Sequence, residues 1–315
     1  ENNNITTLPN LGIDWDVLHE ANPRLILLRM PPMGTNGPYS RYLGFGAHFE
    51  AVSGITAVRG YRNADPSSTT TVFQMDPAAG STGAFAVMAA LRRRERTGQG
   101  ELIILPQVEN EMNHIGEMFI DAAANGNENA PLGNRSRNAV QGAYPCLGED
   151  QWVALTVSTD AQWQGLVDAM ARPEWALDAK FASHEGRMAA HDEIDAGVAE
   201  WSSQLTSYEA FHVLQAHGVP SGPLDNEAAA FYDPHIRARG FFRELDSTHA
   251  GRHEQPAHQW MWSGPPMRWE PVRGMGQDNE YVYKQLLGLS EEEYAKLDAD
   301  GHIANGYLNS DGSLM

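Results

Sequence analysis

The sequence predicts an α/β fold, in which a parallel β-sheet is covered by helices and a smaller α+β domain follows. Two observations lead to this prediction. Over residues 1 to 125, short apolar stretches alternate with helical patterns, an order that is typical of parallel sheets flanked by helices. After the polar, Gly/Asn-rich segment "NGNENAPLGNRSRNAVQG", the pattern changes to one hairpin and then mainly helices.

The first part contains a regular series of elements. Short apolar or β-branched runs predict strands, and periodic apolar residues bounded by Gly or Pro predict helices. In chain order, the predictions are a helix at "DWDVLHEAN", a strand from Arg24 to Met30, a helix at "GFGAHFEAVSG" closed by Gly54, a short strand at "TTTVFQM", a helix that starts near Asp76, a strand at "ELIILP" and a helix from Gln107 to Asn125.

The helix that starts near Asp76 has one carboxylate at its beginning and no other acid until Glu95. Asp is a favoured N-cap residue, and a negative charge is stabilised at the positive end of the helix dipole. Pro77 suits the first helical position, and Gly98 suits the position just past the end. From this segment alone, capping is the simpler interpretation of Asp76, and a chemical role stays open.

The second part predicts a smaller domain and then a return to mixed structure. Its predicted elements are, in chain order, a hairpin at "AYPCLGEDQWVALTVS", helices at "DAQWQGLVDAM", "RMAAHDEIDAGVAEWSSQL" and "YEAFHVLQAH", strands at "GFFREL" and "QWMWSGPPMRW", and helices at "NEYVYKQLLG" and "SEEEYAKLDADG". We therefore divide the chain into a large domain (1–130), a linker with a small domain (131–232) and a return to the large domain (233–315).

Composition and charge exclude several classes of protein. The chain has 315 residues, of which 42% are hydrophobic, so it is long enough to bury a real core. The net charge of −19 argues against a nucleic-acid partner, because a phosphate backbone needs a basic face. A single cysteine, Cys146, rules out an internal disulfide and fits a reducing compartment. With no apolar stretch of membrane-spanning length and no visible signal peptide, we expect a cytoplasmic protein without a membrane partner.

Common catalytic and metal-binding motifs are missing from the sequence. It contains no G-x-x-x-x-G-K-[ST], no clean G-x-G-x-x-G after a strand and no G-x-S-x-G. Glu111, His114 and Glu117 fall on one face of a predicted helix, but a solvated polar face explains them better than a metal site. We therefore predict no metal.

Several segments in a fixed order carry a resemblance to a known family. They are "NPRLILLRMPPMGTNGPY", "FEAVSG", "MDPAAGSTGAFAVMAALRRRERTGQGELI", "PLGNRS", "YPCLGEDQWVALTV", "GVPSGPL", "DPHIRARGFF", "GPPMRW" and "LLGLSEEEYAKL". Over nearly the whole chain they resemble the class III CoA-transferases, the CaiB/BaiF family. Members of that family move coenzyme A from an acyl-CoA to a free carboxylic acid.

The resemblance implies a fold, substrates and partners. The family has a Rossmann-like large domain that binds CoA, a smaller α+β domain and an interlocked dimer. The implied substrates are an acyl-CoA and a small carboxylic acid, with coenzyme A as a substrate rather than a permanently bound cofactor. We expect a homodimer, or a hetero-oligomer with a related chain. The start, "ENNNITTLPNLGID", resembles an internal stretch of the family, so we expect that an N-terminal segment is missing.

Asp76 lies where the family has its nucleophile, whose carboxylate forms a mixed anhydride and then a thioester with CoA. Phe45 lies where many members place a tyrosine against CoA, and Asn10 lies where the family has a CoA-binding arginine. The resemblance also suggests CoA contacts at Asn2, Asn3 and Asn4. Two further candidates, which either bind the acceptor carboxylate or are exposed linker charges, are Arg135 and Arg137.

Two other functions stay open beside CoA transfer. An α-methylacyl-CoA racemase or epimerase on the same fold needs an acid–base pair, but Phe45 replaces the histidine of that branch, and only His48 lies nearby. A non-catalytic or half-site subunit that pairs with a second family chain is the other alternative. The segment "SRNAVQG" replaces the glycine loop of formyl-CoA transferases, so we do not expect a formyl/oxalate enzyme.

Overall fold

The computed structural model describes residues 1–61, 63–68, 72, 74–247, 250–304, 306 and 307. These residues form two compact units, Glu1–Pro223 and a second unit that begins at Leu224. The helices of the first unit are α1 (Thr7–Asn10), α2 (Trp15–Ala21), α3 (Gly46–Ser53), α4 (Ile55–Val58), α5 (Met75–Thr97), α6 (Gln107–Met112), α7 (Gly116–Asn125), α8 (Asp160–Ala169), α9 (His184–Ala189), α10 (His191–Ser202) and α11 (Ser207–Ala216). Its strands are β1 (Ile26–Arg29), β2 (Glu101–Ile104), β3 (Val140–Pro145), β4 (Trp152–Val157) and β5 (Ser221–Pro223).

A parallel pair of strands, β1 and β2, organises the first part of this unit. Leu27 pairs with Leu102 in the centre of the register. Helix α5 leads into β2 and packs against both strands, so its first turn lies at the carboxyl end of the pair. The α/β fold predicted from strand–helix alternation is confirmed. In open α/β sheets, ligands bind just outside the carboxyl ends of the strands, where the first turn of α5 lies.

An antiparallel sheet with the order β3-β4-β5 forms the second part of the unit. The predicted hairpin is confirmed, with Val140 opposite Val157 and Tyr144 opposite Val153. Helices α8, α10 and α11 cover the sheet. Their shared core includes the buried apolar residues Val153, Leu155, Leu166, Ile194, Val198 and Leu214. The three-segment division of the chain stays a prediction.

Two helices predicted as continuous are interrupted. The helix expected from Gln107 to Asn125 is broken by a 3₁₀ turn, because Ile115 leaves the helical region at φ −123° and ψ 31°. The helix expected at "RMAAHDEIDAGVAEWSSQL" ends at Ala189 and restarts at His191, with φ −105° at Ala190 between them. In both cases the apolar pattern continues through the break, so periodicity alone gives no signal for it.

The second unit contains α12 (Glu227–Tyr232), α13 (Pro234–Ala238), β6 (Phe242–Ser247), β7 (Gly251–Pro256), a π-helical segment at Tyr281–Leu286 and α14 (Glu291–Ala299). The partner of β6 is β7, and the strand predicted at "QWMWSGPPMRW" is wrong because those residues form irregular chain. In "TTTVFQM", Thr69–Thr71 and Phe73 lie outside the described residues. Among the described helices, none combines the length and the apolar character needed to cross a bilayer.

We expect Gly100→Ala to destabilise the first unit by about 1–3 kcal/mol. A Cβ on Gly100 would lie 1.8 Å from the carbonyl oxygen of Leu25, at the point where β1 and β2 begin to pair. The matched control is Gly80→Ala on α5, where a Cβ would meet no atom within 4 Å. That change removes a flexible residue from a helix, so it is neutral or stabilises by up to about 1 kcal/mol. The urea concentration at the midpoint of unfolding is measured for both variants. Equal midpoints would contradict the close approach of Gly100 to Leu25.

Candidate active site

Asp76 is the second residue of α5 and is exposed to solvent. The N-cap is Gln74, whose side chain makes no capping hydrogen bond, so the interpretation of Asp76 as the N-cap is wrong. The free N–H groups of this first turn and the positive end of the helix dipole still favour a negative charge at Asp76. The carboxylate is therefore presented to solvent at a place where negative charge is stabilised.

The Asp76 carboxylate is oriented by a buried amide. Gln107, the first residue of α6, is 4% exposed, and its Nε2 donates a hydrogen bond to Asp76 Oδ1 at 3.0 Å. Gln107 follows the end of β2, and its backbone N–H donates to the carbonyl of Pro31 at 3.3 Å, just beyond β1. The sequence analysis missed Gln107, because 31 positions separate it from Asp76 and only the parallel pairing of the strands brings them together.

A small apolar cluster fixes the start of α5 next to the carboxylate. Met75 is 1% exposed and packs with Phe49 of α3 and Val108 of α6. Partly buried Met33 and Met112 complete the cluster. Because buried side chains lock the residues on either side of them, the position of Asp76 is set by packing from three helices.

The predicted CoA contacts Asn2, Asn3 and Asn4 lie near the carboxyl end of β1, as does the first turn of α5. The carbonyl of Glu1 accepts the N–H of Met30, directly after β1, at 2.8 Å. Asn2 and Asn3 are exposed, whereas Asn4 Oδ1 accepts the N–H of Thr6 at 3.0 Å before α1. Their roles in CoA binding stay predictions.

Phe45 is the residue before α3 and has 81% of its surface exposed. Its backbone N–H donates to His48 Nδ1 at 3.1 Å, which gives that ring nitrogen a structural role at the helix start. An exposed aromatic ring suits contact with a ligand, but it carries no titratable group for the acid–base pair of a racemase. The prediction of a CoA contact at Phe45 stays open.

The two predicted acceptor-binding arginines have different surroundings. Arg135 forms ion pairs with Asp192 and Asp195 of α10, with Nε 3.2 Å from Asp195 Oδ2. Tyr144 donates to the other oxygen of Asp195 at 2.7 Å, and burial together with this carboxylate raises the pKa of Tyr144. Arg135 therefore anchors the linker to α10, and an acceptor carboxylate would have to compete with two acids.

Arg137 is exposed and lines a cavity of about 480 Å³ in the first unit. Its Nη2 donates to Asn129 Oδ1 at 2.6 Å, and Glu117 and Asp121 line the same cavity. These acids weaken the attraction of the cavity for an anion, so the structure gives Arg137 space for a ligand but little net positive charge. Its role in acceptor binding stays a prediction.

The polar face considered for a metal is divided by the break after α6. Glu111 is buried, His114 lies in the 3₁₀ turn, and Glu117 is an exposed residue of α7. Among the described residues, no group of three or more His, Cys, Asp or Glu side chains is placed to hold a metal ion.

Comparison with known proteins decides the family. The profile of CoA-transferase family III matches residues 1–279. The chain belongs to CoA-transferase family III. Its parallel strands, the Asp76 helix and the following antiparallel sheet all fall within the matched range.

Individual proteins similar to this chain are named as CoA-transferases. The chain is 32% identical over 307 residues to "Probable CoA-transferase Rv1866" of Mycobacterium tuberculosis, which covers 92% of this chain but only 38% of that protein. It is 31% identical over 292 residues to the "Succinyl-CoA--L-malate CoA-transferase alpha subunit" of Chloroflexus aurantiacus, covering 92% of this chain and 68% of that subunit. A crystal structure of a CaiB/BaiF family protein from Brucella suis matches with a TM-score of 0.79 at 22% identity, over 91% of this chain and 74% of that one, which shows the shared fold.

Proposed function

We propose that this chain transfers coenzyme A from an acyl-CoA to a carboxylic acid, with Asp76 as the nucleophile. The observation that carries the proposal is an exposed carboxylate in the first turn of α5, held by the buried amide of Gln107. A carboxylic acid cannot take up a thiol directly at neutral pH, so the reaction needs an activated acyl intermediate. A carboxylate on the enzyme supplies one by covalent catalysis.

The first half of the proposed reaction loads CoA onto the chain. An Asp76 oxygen attacks the thioester carbonyl of the donor, the C–S bond breaks, and an aspartyl–acyl anhydride and the CoA thiolate form. The thiolate then attacks the Asp76 carbonyl carbon. The donor leaves as a free carboxylate, and Asp76 becomes a thioester of CoA.

The second half reverses these steps with the acceptor. The acceptor carboxylate attacks the Asp76 thioester and releases the CoA thiolate, so that a second anhydride forms. The thiolate attacks the acyl carbonyl of this anhydride, which yields the new acyl-CoA and restores the Asp76 carboxylate. No proton is gained or lost over the cycle, and the donor described for the Asp76 carboxylate is the neutral amide of Gln107.

The first turn of α5 supports this chemistry in two ways. Its free N–H groups are donors for the negative charge that develops on carbonyl oxygens during each attack. After Pro77, the next residues of α5 are small, which leaves room for a thioester to approach the carboxylate. They are Ala78, Ala79, Gly80 and Ser81.

Gln107→Leu is expected to lower the rate of acylation of Asp76 by about ten- to a hundredfold, since a hydrogen bond to a charged group contributes about 1.5–3 kcal/mol. The change keeps the buried volume but removes the donor that orients the carboxylate. The control is Asn113→Ala, which removes a side-chain hydrogen bond to the carbonyl of Glu109 at 2.9 Å within the same region. Single-turnover acylation rates of the two variants measure the difference, and equal rates would show that Gln107 has no orienting role.

The proposed function is tested by a transfer assay. Succinyl-CoA is incubated with the protein and a panel of small carboxylic acids that includes malate, and new acyl-CoA species are identified by mass spectrometry. Formation of a new acyl-CoA that depends on the protein supports the proposal. Exchange of the α-hydrogen of a 2-methylacyl-CoA with solvent, without any transfer, would instead indicate a racemase.

We propose further that the active form is an oligomer and that CoA enters only as a substrate. The relative from Chloroflexus aurantiacus is named as an alpha subunit, which makes a related second chain a reasonable partner beside a second copy. Light scattering after gel filtration, with mass spectrometry of anything that co-purifies, distinguishes a homodimer from a hetero-oligomer and from a monomer.

A further inference from the structure

Two buried acids lie close to the start of α5, outside the surface that presents Asp76. Glu50 of α3 and Glu111 of α6 are both 0% exposed. Carboxylic acids are rarely buried so completely unless other groups compensate them, because removing a carboxylate from water is unfavourable. Their contacts therefore point to a role in the structure of this site.

Glu50 binds the residue that precedes α5. Its Oε1 accepts the backbone N–H of Gln74 at 2.9 Å, and its Oε2 lies 3.5 Å from Arg59 Nη1. The side chain of Gln74 is held as well, with Nε2 3.3 Å from His114 Nδ1. An N–H at a helix start has no partner within its own helix, and here α3 supplies the acceptor. Gln74 in turn sets the direction in which α5 begins, two residues before Asp76.

Glu111 is a fully buried residue of α6, the helix that packs against α3, which carries Glu50. Neither of its oxygens makes a hydrogen bond to a described residue, and its Oε2 lies 3.6 Å from His114 Nδ1. Two negative charges in one buried space repel each other strongly, so such pairs are stable when one member keeps its proton.

We propose that Glu50 is a positioning residue for Asp76 and that Glu111, which is fully buried and makes no hydrogen bond to a described residue, keeps its proton. The inference rests on the proposed function and deepens it, because it names the side chains that fix the nucleophile. Glu50 acts through the backbone of Gln74 and does not touch the reacting atoms.

The electrostatics of the cluster agree with this arrangement. Burial raises the pKa of Glu111 above its ordinary value of 4.5, the charge of Glu50 raises it further, and His114 and Arg59 act in the opposite direction. On α5, the one acid of the first turn is Asp76. Because the folded state binds this proton more tightly than the unfolded chain does, the stability gained from Glu111 is present at low pH and is lost as the pH rises from 4.5 through the raised pKa.

The first test compares two substitutions of Glu50 in the full chain. Glu50→Met removes the acceptor for the Gln74 N–H at similar volume, whereas Glu50→Gln keeps an acceptor oxygen. We expect Glu50→Met to slow covalent labelling of Asp76 by succinyl-CoA about tenfold or more at saturating donor, with little change in the half-saturating concentration. Glu50→Gln is expected to recover most of this loss. Ser202→Ala, which removes a buried hydrogen bond to the carbonyl of Pro145 at 2.7 Å, is the control for destabilisation alone.

The second test uses Glu111→Gln, which mimics the protonated acid. In the wild type, we expect the labelling rate of Asp76 to fall as Glu111 loses its proton, within a scan from about pH 5 to pH 9. In Glu111→Gln this fall is absent. An identical pH profile in both proteins would overturn the role of Glu111.

Hydrogen exchange separates failure of this inference from failure of the proposed function. The Gln74 amide is expected to exchange about tenfold faster or more in Glu50→Met than in the wild type or Glu50→Gln, whatever the protein does to acyl-CoA. If the wild type is not labelled but Gln74 responds in this way, the proposed function fails and the contact stands. If the wild type is labelled and Glu50→Met is labelled equally fast, Glu50 is not a positioning residue.

Discussion

Asp76→Asn is expected to lower the rate of CoA transfer by at least about 10³-fold, the size of effect that follows removal of a catalytic nucleophile. The asparagine keeps the size of the side chain and an acceptor for the Gln107 amide. It does not form the anhydride, because a neutral amide is a poor nucleophile. The loss of one charge from the first helical turn costs only about 0.3–1 kcal/mol, so the protein stays folded. Steady-state transfer rates measure the effect.

The matched control is Glu95→Gln, which removes the next acid along the same helix. Glu95 is exposed in the last turns of α5, where a carboxylate is not stabilised by the helix dipole. We expect transfer rates within about twofold of the wild type, since no charge near the proposed nucleophile changes. Equal loss of activity in the two variants would show that Asp76 has only a general electrostatic role.

The second large effect is expected in the core of the antiparallel sheet. Phe181→Ala should lower the free energy of unfolding by about 3–5 kcal/mol. The ring is 1% exposed and lies 5.5 Å from the Trp163 ring and 5.8 Å from the Trp175 ring, measured between centroids. Its removal leaves a cavity among aromatic side chains that rigid neighbours do not fill. Denaturation in urea, followed by tryptophan fluorescence, gives the change in midpoint.

Leu177→Ala is the control for this core prediction. Leu177 lies four residues earlier and is 52% exposed, so its truncation removes little buried surface. We expect a change within about 0.5 kcal/mol, as for most surface substitutions. A Phe181→Ala midpoint as close to the wild type as that of Leu177→Ala would contradict the packing of the three rings.

Local signals in the sequence were sufficient for most elements. Gly54 and Gly98 adopt positive φ values of 88° and 78° at the ends of α3 and α5, as their positions after periodic apolar segments predict. The apolar run "ELIILP" becomes β2, and the predicted hairpin around Cys146 forms. The interruptions at Ile115 and Ala190 were not predicted, because tertiary packing overrides an apolar pattern that continues through both.

The candidate site shows where sequence reasoning ends. Asp76 stands out because it is alone at the start of a long helix and matches the family's motif. Glu50 on α3 and Gln107 and Glu111 on α6 have no such signal, since their relation to α5 exists only in the fold. The ion pairs of Arg135 with Asp192 and Asp195 of α10 were not predicted for the same reason, because 57 and 60 positions of the chain separate the partners.

The most direct test of the central claim is to trap CoA on Asp76. The protein is incubated with succinyl-CoA, quenched, and analysed by intact mass and peptide mapping, with and without hydroxylamine, which cleaves thioesters and leaves a hydroxamate. We predict that the peptide that carries Asp76 gains the mass of CoA less one water, as expected for a thioester between Asp76 and CoA. With hydroxylamine, a hydroxamate at Asp76 replaces this adduct. We expect neither product in Asp76→Asn. Transfer of CoA between acids without any modification of Asp76, or with the adduct on another residue, would contradict the account.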